Sequence, residues 1–246
     1  MLVVIHYPDD APSSLARILT RSGPLPAHTL AGSDELAEGT IGVGPPGRHV
    51  LVLDGHAILE TGPRENGQRP SIDVLFRSAA HAYGARAIGI VVSGTLDDGT
   101  LGLAEIAACG GRAIVQDPAD ADYDSMPLSA IRNVAGVEVA SAEAIGTMLA
   151  ALDRPEPARS WRGPPCPPVE NEPEQTRLSC PDCGRPLAEI AHEPPAFRCR
   201  VGHACTIGSL SEATERAGEA AVWSAIRNHG ERVDILERLG TRARKR

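Results

Sequence analysis

The most apolar stretch of this chain is the run AIGIVV that follows Arg86. A short, uniformly aliphatic segment is typical of a strand that is buried on both faces of a parallel sheet, so we predict a strand over residues 85–92. Helical patterns of apolar residues lie on either side of it, over residues 71–82 and 101–109. Strands that alternate with helices at this spacing predict an α/β fold with a doubly wound, mostly parallel sheet.

The same alternation extends over residues 1–152, which we predict to form one domain. Its further elements are predicted strands at 2–5, 40–43 and 113–116, helices at 12–21 and 142–152, and a hairpin whose strands 50–53 and 57–60 flank Asp54-Gly55-His56. Hydrophobic residues make up 42% of the chain but aromatic residues only 3%. The core of this domain is therefore expected to be aliphatic.

A proline-rich segment separates this domain from the rest of the chain. Because proline ends helices and is excluded from central strands, we predict an extended linker over residues 153–178. Beyond it we predict a small zinc-ribbon-like module at 179–208 and an amphipathic helix with a basic tip at 209–246. A capping box that begins at Ser209 and a stop at Gly240 are expected to bound this helix.

Two titratable side chains follow predicted strands of the first domain. His6 comes directly after the first strand, and Asp97 and Asp98 follow the strand that ends at Val92. The carboxyl ends of parallel strands share one edge of a sheet, so these side chains are expected to lie together. A His oriented by a carboxylate is the base half of a nucleophilic triad. The alternative is a structural His and an aspartate that caps the next helix.

A nucleophile to complete such a triad is not evident in the sequence. A serine hydrolase built on a parallel sheet carries its Ser on a tight turn flanked by small residues, as in G-x-S-x-G. None of the serines in this chain has Gly at both the −2 and the +2 position. Ser93, which precedes Gly94, comes nearest, but it shares a loop with Asp98.

Three motifs of the first domain resemble the catalytic domain of the chemotaxis protein-glutamate methylesterases of the CheB type. They are the run GPRENGQRPSIDVLFRSAA at 62–80, the run VSGTLDDG at 92–99, and QDPA at 116–119 followed by Met126-Pro127. The resemblance implies a Ser-His-Asp hydrolase that removes methyl esters from chemoreceptor glutamates, and in some members deamidates glutamines. His6 matches the catalytic His of the family and Asp98 its catalytic Asp. No cofactor is implied for this chemistry.

The sequence also departs from that family. Its members carry the catalytic Ser on an earlier strand, whereas here Met1 stands at the start of the His strand. We therefore expect a sheet that is incomplete at its N-terminal side and a natural start upstream of Met1. If Met1 is the natural start, we expect no esterase activity by the triad mechanism. The alternative function is then a non-catalytic binding module that recognises receptor or signalling partners.

Two arginines near the 62–80 motif are candidates for binding the substrate. The forked guanidinium groups of Arg64 and Arg69 match carboxylates, and the resemblance implies an acidic receptor segment as the substrate. The alternative is that both are solvated loop charges, or that one of them pairs with Glu65.

The cysteine-containing module has the spacing of a zinc site. Cys180, Cys183, Cys199 and His203 give C-x2-C-x15-C-x3-H, and two close pairs of soft ligands can converge on one tetrahedral ion. Cys205 is the rival for the fourth position. The run CRVGH resembles a zinc-ribbon-like tail fused to some methylesterase-like proteins, which favours His203. We predict a closed, structural zinc site.

Charge and hydropathy limit the partners of the chain. The net charge of −8 argues against nucleic-acid binding, and no apolar run predicts insertion into a membrane, so we expect a cytoplasmic protein. The last helix carries an apolar stripe at Val222, Ile226, Val233 and Leu236. This stripe either folds back on the zinc module or pairs with another chain, and we expect it to bind a partner or to mediate self-association.

Overall fold

The computed structural model describes residues 1–8, 13–152, 172–192 and 194–243. Most of the predicted proline-rich linker, and the last residues of the basic tip, lie outside the described residues. None of the described helices combines the length and the apolar character that a membrane span requires.

The first part of the chain alternates strands and helices, as predicted. Its strands are β1 (Leu2–Val3), β2 (Ala27–Thr29), β3 (Ser33–Glu35), β4 (Ile41–Val43), β5 (His49–Leu53), β6 (His56–Glu60), β7 (Ile88–Val91), β8 (Arg112–Gln116) and β9 (Glu138–Ala140). Its helices are α1 (Leu15–Ser22), α2 (Ile72–Tyr83), α3 (Thr100–Ala108), α4 (Ser125–Asn133) and α5 (Ala142–Ala150).

The parallel strands of this α/β region form two groups of three. One has the order β1-β4-β2 and the other the order β7-β8-β9, with every pair parallel. A third group, β3-β6-β5, is antiparallel and contains the predicted hairpin. The fold class is therefore α/β with parallel strands, as predicted, although the described strands are hydrogen-bonded in separate groups rather than in one sheet.

The core of the α/β region is aliphatic, as the composition predicts. Helix α2 packs on α3 and β5, and α3 packs on β7 and β8. Leu103 and Val50 are fully buried, and Ile106 is 1% exposed. Where α3 crosses β7, a Cβ on Gly89 would lie 2.7 Å from the Leu103 side chain, so this close approach requires glycine.

Four elements of this region were not predicted from the sequence. The strands β2, β3 and β9 are only three residues long, too short for a period of two to be recognised, and β3 is wholly polar. Helix α4 contains Pro127 in its first turn, where the missing N–H costs no intrahelical hydrogen bond.

The cysteine module, residues 172–206, is a four-stranded antiparallel sheet. Its strands β10 (Glu174–Ser179), β11 (Pro186–His192), β12 (Pro195–Cys199) and β13 (Ala204–Thr206) pair in chain order. Strand β10 thus lies within the segment that we predict to be linker. The division of the chain into domains otherwise stays a prediction.

Helix α6 (Ile207–Ala243) follows the module directly. It begins earlier than the predicted capping box, because the hydroxyl of Thr206 accepts the N–H of Ser209 at 3.3 Å and caps the first turn. It also continues through Gly240, so the predicted stop there is wrong. The 37 residues span about 55 Å.

Candidate functional site

The structure brings the predicted His and Asp together. His6 follows β1 and Asp98 lies between β7 and α3, and the Nε2 atom of His6 is 2.7 Å from Oδ2 of Asp98. The carboxylate is 2% exposed, whereas the His side chain is 26% exposed. The carboxylate is therefore sealed in the protein and the imidazole reaches the surface.

The N-terminus of α2 anchors the Asp98 carboxylate. The donors to it, besides His6, are the side chains of Asn66 and Ser71 and the backbone N–H groups of Ile72 and Asp73, at 2.7–3.3 Å. Burial alone would raise the pKa of Asp98, but the hydrogen bond from His6 and these other donors lower it below its ordinary value. An anion at a helix N-terminus also has favourable interactions with the helix dipole. Asp98 is thus held ionised in a fixed orientation.

Asn66 is a site residue that sequence reasoning missed. It forms the turn Glu65-Asn66-Gly67-Gln68 with Gly67, and both central residues have positive φ, 52° and 71°, the pattern of a type I′ turn. Its Nδ2 donates to Oδ1 of Asp98 at 3.0 Å and to Oδ2 of Asp73 at 2.8 Å. The Asn-Gly dipeptide was the available signal for this turn.

Asp73 is a second buried carboxyl beside Asp98. It is fully buried in the first turn of α2, where its Oδ1 accepts the N–H of Gly102 at 2.7 Å. Burial, and the charge of Asp98, raise the pKa of Asp73 well above its ordinary value. The pKa values of the two aspartates are thus shifted in opposite directions. Of the two, Asp98 is the one that is hydrogen-bonded to a His within the described residues.

The ring of His49 forms hydrogen bonds to the backbone through both of its nitrogens. Its Nε2 donates to the carbonyl of Pro63 at 2.9 Å, and its Nδ1 accepts the N–H of Ser71 at 3.3 Å. Burial lowers the pKa of His49, so the ring is neutral and holds the start of α2 in place.

No serine hydroxyl is hydrogen-bonded to His6 among the residues that the structure describes. Ser71 donates to Asp98 instead, and the hydroxyl of Ser93 accepts the N–H of Tyr123 at 2.9 Å. Both of these serines are therefore part of the framework of the site.

A shallow pocket of about 510 Å³ opens beside His6. Its lining residues are His6, Tyr7, Pro8, Arg64 and Gln68. Of the two predicted substrate-binding arginines, Arg64 thus borders the pocket.

Arg69 does not line this pocket. Its guanidinium donates to the carbonyl of Gly62 at 3.0 Å, while its buried Nε has no hydrogen-bond partner within the described part of the chain. Glu65 is hydrogen-bonded to Arg77, which donates to both of its carboxylate oxygens at 2.7 and 2.9 Å.

The four predicted metal ligands form one cluster. The ligand atoms of Cys180, Cys183, Cys199 and His203 all lie within 4.8 Å of one another. The sulfurs of Cys183 and Cys199 are 3.6 Å apart, and Nδ1 of His203 is 3.5 Å from the Cys199 sulfur. Tetrahedral zinc with Zn–S bonds of about 2.3 Å separates its sulfurs by about 3.8 Å, so the spacing fits such an ion.

Two tight turns aim the ligands at one another. In the first, Gly184 has φ 70° and its N–H donates to the carbonyl of Cys180; in the second, Gly202 has φ 104° and donates to the carbonyl of Cys199. Glycine is the residue that adopts such φ values without strain. Cys205, the predicted rival ligand, lies outside the cluster, and burial raises its pKa to about 12.

The thiols of the cluster differ in acidity. Burial raises the pKa of Cys180 to about 12. Burial acts in the same direction on Cys199, but hydrogen bonds from the N–H of Val201 and from His203 outweigh it and lower the pKa of Cys199 to about 6.

Parallel strands that alternate with helices, with a hydrogen-bonded His–Asp pair and a pocket at their ends, place this chain among the α/β proteins that have a site at the carboxyl ends of the strands. Comparison with known proteins identifies the family within that class. The sequence model of the CheB methylesterase family matches residues 1–149, so the chain belongs to this family.

Individual relatives agree with this assignment. The chain is 36% identical over 154 residues to protein-glutamate methylesterase/protein-glutamine glutaminase 1 of Chromobacterium violaceum, covering 61% of this chain and 43% of that protein. A relative from Leptospira interrogans with a name of the same kind is 34% identical over 155 residues, covering 63% of this chain and 80% of that protein. The chain thus spans less than half of the first relative.

A solved structure has a similar fold. The crystal structure of the Thermotoga maritima CheB methylesterase catalytic domain superposes with a TM-score of 0.56 and 26% identity, over 60% of this chain and 80% of that one.

Proposed function

We propose that this chain supplies the base and the orienting carboxylate of a hydrolase that cleaves methyl esters of glutamate side chains. The observation that carries the proposal is the 2.7 Å hydrogen bond between His6 and the buried Asp98. An ionised carboxylate only accepts hydrogen bonds, so the proton is on Nε2 of His6. The lone pair on Nδ1 is then available to take a proton from a nucleophile.

In this role His6 removes the hydroxyl proton of the nucleophile as its oxygen attacks the ester carbonyl carbon. His6 then returns the proton to the departing methoxide, which leaves as methanol, and water hydrolyses the acyl intermediate to the glutamate carboxylate. A glutamine side chain offers the same acyl carbon with ammonia as the leaving group. Deamidation would therefore follow the same steps, in keeping with the double names of the relatives.

The proposed substrate is a methylated chemoreceptor, which the resemblance to the family implies. Arg64 borders the pocket beside His6 and is placed to contact carboxylates that flank the methylated glutamate. Arg69 would act less directly, because its guanidinium already donates to the carbonyl of Gly62. The net charge of −8 supports the proposal that nucleic acid is not a partner, and we propose a cytoplasmic location.

A non-catalytic binding module is the second candidate function. It is favoured by one observation, that the hydrogen bond of His6 within the described residues goes to Asp98 and to no serine hydroxyl. In that case the pocket beside His6 would bind the receptor segment without cleaving it.

The experiment that separates these functions measures methanol release from a methylated receptor by the purified protein and its variants, each with and without an upstream extension that carries a serine nucleophile. We expect Asp98→Asn to lower the rate by about 10⁴-fold, the loss seen when an orienting carboxylate of a triad is neutralised, and His6→Ala to lower it at least as far. The matched control His28→Ala changes an exposed His on β2 and is expected to leave the rate unchanged.

Each outcome has one interpretation. Equal rates for the wild type and for His6→Ala contradict the proposed base. Absence of methanol release from the wild type, together with saturable binding of the receptor, supports the binding module instead.

We further propose that Cys180, Cys183, Cys199 and His203 hold one structural zinc ion. The geometric support is the convergence of four ligand atoms within 4.8 Å. Four protein ligands leave no position for water, so the ion would stabilise the module rather than take part in hydrolysis. Metal analysis of the purified protein and of His203→Ala and Cys205→Ala tests this: only the His203 variant is expected to lose the ion.

The stripe on α6 supports a proposal of self-association. Val222, Ile226, Val233 and Leu236 are each 53–59% exposed, so the stripe does not fold back on the cysteine module. With Val233 at position a and Leu236 at position d of a heptad, Arg232 falls at g and Glu237 at the following e. These two positions face each other across a parallel, in-register pair of helices. We therefore propose a second copy of this chain as the partner.

Light scattering after size-exclusion chromatography tests this dimer. We expect Arg232→Glu to weaken it, because like charges then meet at g and e, and Arg232→Glu with Glu237→Arg to restore it. A monomer mass for the wild type at all concentrations contradicts the proposal, as does a dimer that Arg232→Glu leaves unchanged.

A further inference from the structure

The side-chain amide of Asn66 is hydrogen-bonded through both its nitrogen and its oxygen. Nδ2 donates to Asp98 and Asp73, while Oδ1 accepts the backbone N–H of Thr206 at 3.0 Å. If the amide of Asn66 were turned by 180°, its oxygen would face the acceptor oxygens of two carboxyl groups and its NH₂ would face an N–H donor, and all three hydrogen bonds would be lost. The orientation of Asn66 is therefore determined from both sides, and the residue is only 6% exposed.

The donor to Asn66 belongs to the cysteine module, 140 positions further along the chain. Strand β13 runs beside the turn that carries Asn66: the N–H of Asn66 donates to the carbonyl of Ala204 at 2.8 Å, and the N–H of Ala204 donates to the carbonyl of Arg64 at 3.3 Å. The second cysteine turn also touches this loop, since a Cβ on Gly202 would lie 3.0 Å from the ring of Pro63.

A second contact joins the module to the residue beside Asp98. The hydroxyls of Thr206 and Ser209, at the start of α6, donate to the two carboxylate oxygens of Asp97. The approach is so close that a Cβ on Gly208 would overlap that carboxylate. Apolar residues of the β11–β12 hairpin, Ile190, Ala191 and Ala196, pack on Leu101 of α3. The module and the start of α6 thus contact the chain on both sides of Asp98, at Asp97 and at Leu101.

We propose that Asn66 is a positioning residue for the His6–Asp98 pair and that the cysteine module, through the Thr206 N–H, holds Asn66 in that position. The inference rests on the proposed role of His6 as the base. The amide bridges two carboxyl groups that would otherwise repel each other, and it fixes the oxygen of Asp98 opposite the one that accepts from His6. The module is then part of the framework of the site rather than a separate appendage.

The test measures the solvent exchange of the His6 Nε2 proton by NMR in the full-length protein without substrate. The resonance of this proton lies far downfield when the proton is hydrogen-bonded to a carboxylate. Disappearance of that resonance in Asp98→Asn assigns it to His6. We expect Asn66→Ala to speed its exchange about tenfold, the effect of losing one hydrogen bond to a charged group. Thr206→Val with Ser209→Ala, which removes only hydroxyls of the module side, is expected to speed the exchange in the same direction.

The matched control is Thr241→Val with Ser224→Ala, which removes two hydroxyls from α6 away from the site and is expected to leave the exchange rate unchanged. Metal content is measured for every variant, so that an unfolded module is recognised. Exchange rates within about twofold of the wild type in both the Asn66 and the Thr206/Ser209 variants would overturn the proposal. Because no substrate is present, this readout is independent of whether the chain proves to be an esterase.

Discussion

The α/β region and the cysteine module are stabilised by different means. The α/β region contains one cluster of 17 buried apolar side chains, drawn from strands and helices across residues 30–134. The corresponding cluster has six buried members, five from the module and Leu210 from α6, and three of the six are cysteines. Two of those cysteines, Cys180 and Cys199, also belong to the ligand cluster. Burial of apolar surface suffices for the first region, whereas a module of this size ordinarily needs a further constraint such as a metal.

The largest effect is expected from removing the proposed metal ligands of the module. We expect Cys199→Ala to unfold residues 172–206 while the α/β core stays folded, because binding of a structural zinc ion contributes roughly 10–16 kcal/mol to the folding of such a site. Hydrogen exchange, resolved by segment, measures both regions in one experiment. Chelation of the wild-type protein should reproduce the pattern.

The matched control for this prediction is Cys205→Ala. Cys205 is buried, like Cys180 and Cys199, but lies outside the ligand cluster, so its loss should leave the metal bound and the module protected. If the module stays protected from hydrogen exchange both in Cys199→Ala and after chelation, the comparison is contradicted. The small apolar cluster would then be sufficient to keep the module folded.

The difference between the two regions also explains which features could be predicted from the sequence. Periodicity and strand-end topology predicted the α/β fold and the meeting of His6 with Asp98, because both follow from local pattern and from the geometry of parallel sheets. The hairpin turn at Asp54-Gly55 was recognised because apolar strands flank it. The turn at Asn66-Gly67 has polar neighbours, Glu65 and Gln68, and therefore gave no strand signal.

Contacts between the regions could not be predicted in this way. The hydrogen bond between Thr206 and Asn66 joins residues 140 positions apart, and no local pattern encodes such a pairing. The orientation of Arg69 toward the carbonyl of Gly62, rather than toward the pocket, likewise depends on how its loop folds. The cysteine spacing, by contrast, predicted the ligand cluster because few arrangements other than a metal site use it.

A smaller effect is expected from a cavity in the α/β core. Leu103→Ala removes a fully buried side chain of α3, and we expect the free energy of unfolding to fall by about 2–5 kcal/mol. Urea denaturation followed by far-UV circular dichroism measures the change. Leu53→Ala, at a position 60% exposed, is the control and should change stability by no more than about 0.5 kcal/mol.

Leu103→Ala sharpens the comparison between the two regions because metal binding by the module should be unaffected. If the two regions are stabilised independently, Leu103→Ala lowers the urea midpoint of the α/β core and leaves the zinc affinity of the module as it was. A parallel loss of metal affinity would show that the apolar core also supports the module.

The smallest effect concerns the polar boundary between the regions, where Asp73 and Asp98 share Asn66. Burial and the charge of Asp98 raise the pKa of Asp73, so above pH ~4 the unfolded chain releases this proton before the folded protein does. The free energy of unfolding should therefore fall as the pH rises, by up to about 1.4 kcal/mol per pH unit, until folded Asp73 also ionises. The lowered pKa of Asp98 acts in the opposite direction, but only below pH ~4, where stability is lost as its carboxylate takes up a proton.

Urea denaturation of the wild type and of Asp73→Asn between pH 4 and pH 8 isolates this contribution, since the variant has no proton to lose at residue 73. The new amide itself changes the free energy of unfolding by an amount that does not depend on pH. The free energy of unfolding of the variant, relative to that of the wild type, should therefore rise with pH. Leu53→Ala, which removes no titratable group from an exposed position, should show a constant difference instead. A constant difference for Asp73→Asn as well would mean that Asp73 ionises at its ordinary pKa. Asn66 would then bridge two charged carboxylates, and the positioning role of its amide would be correspondingly larger.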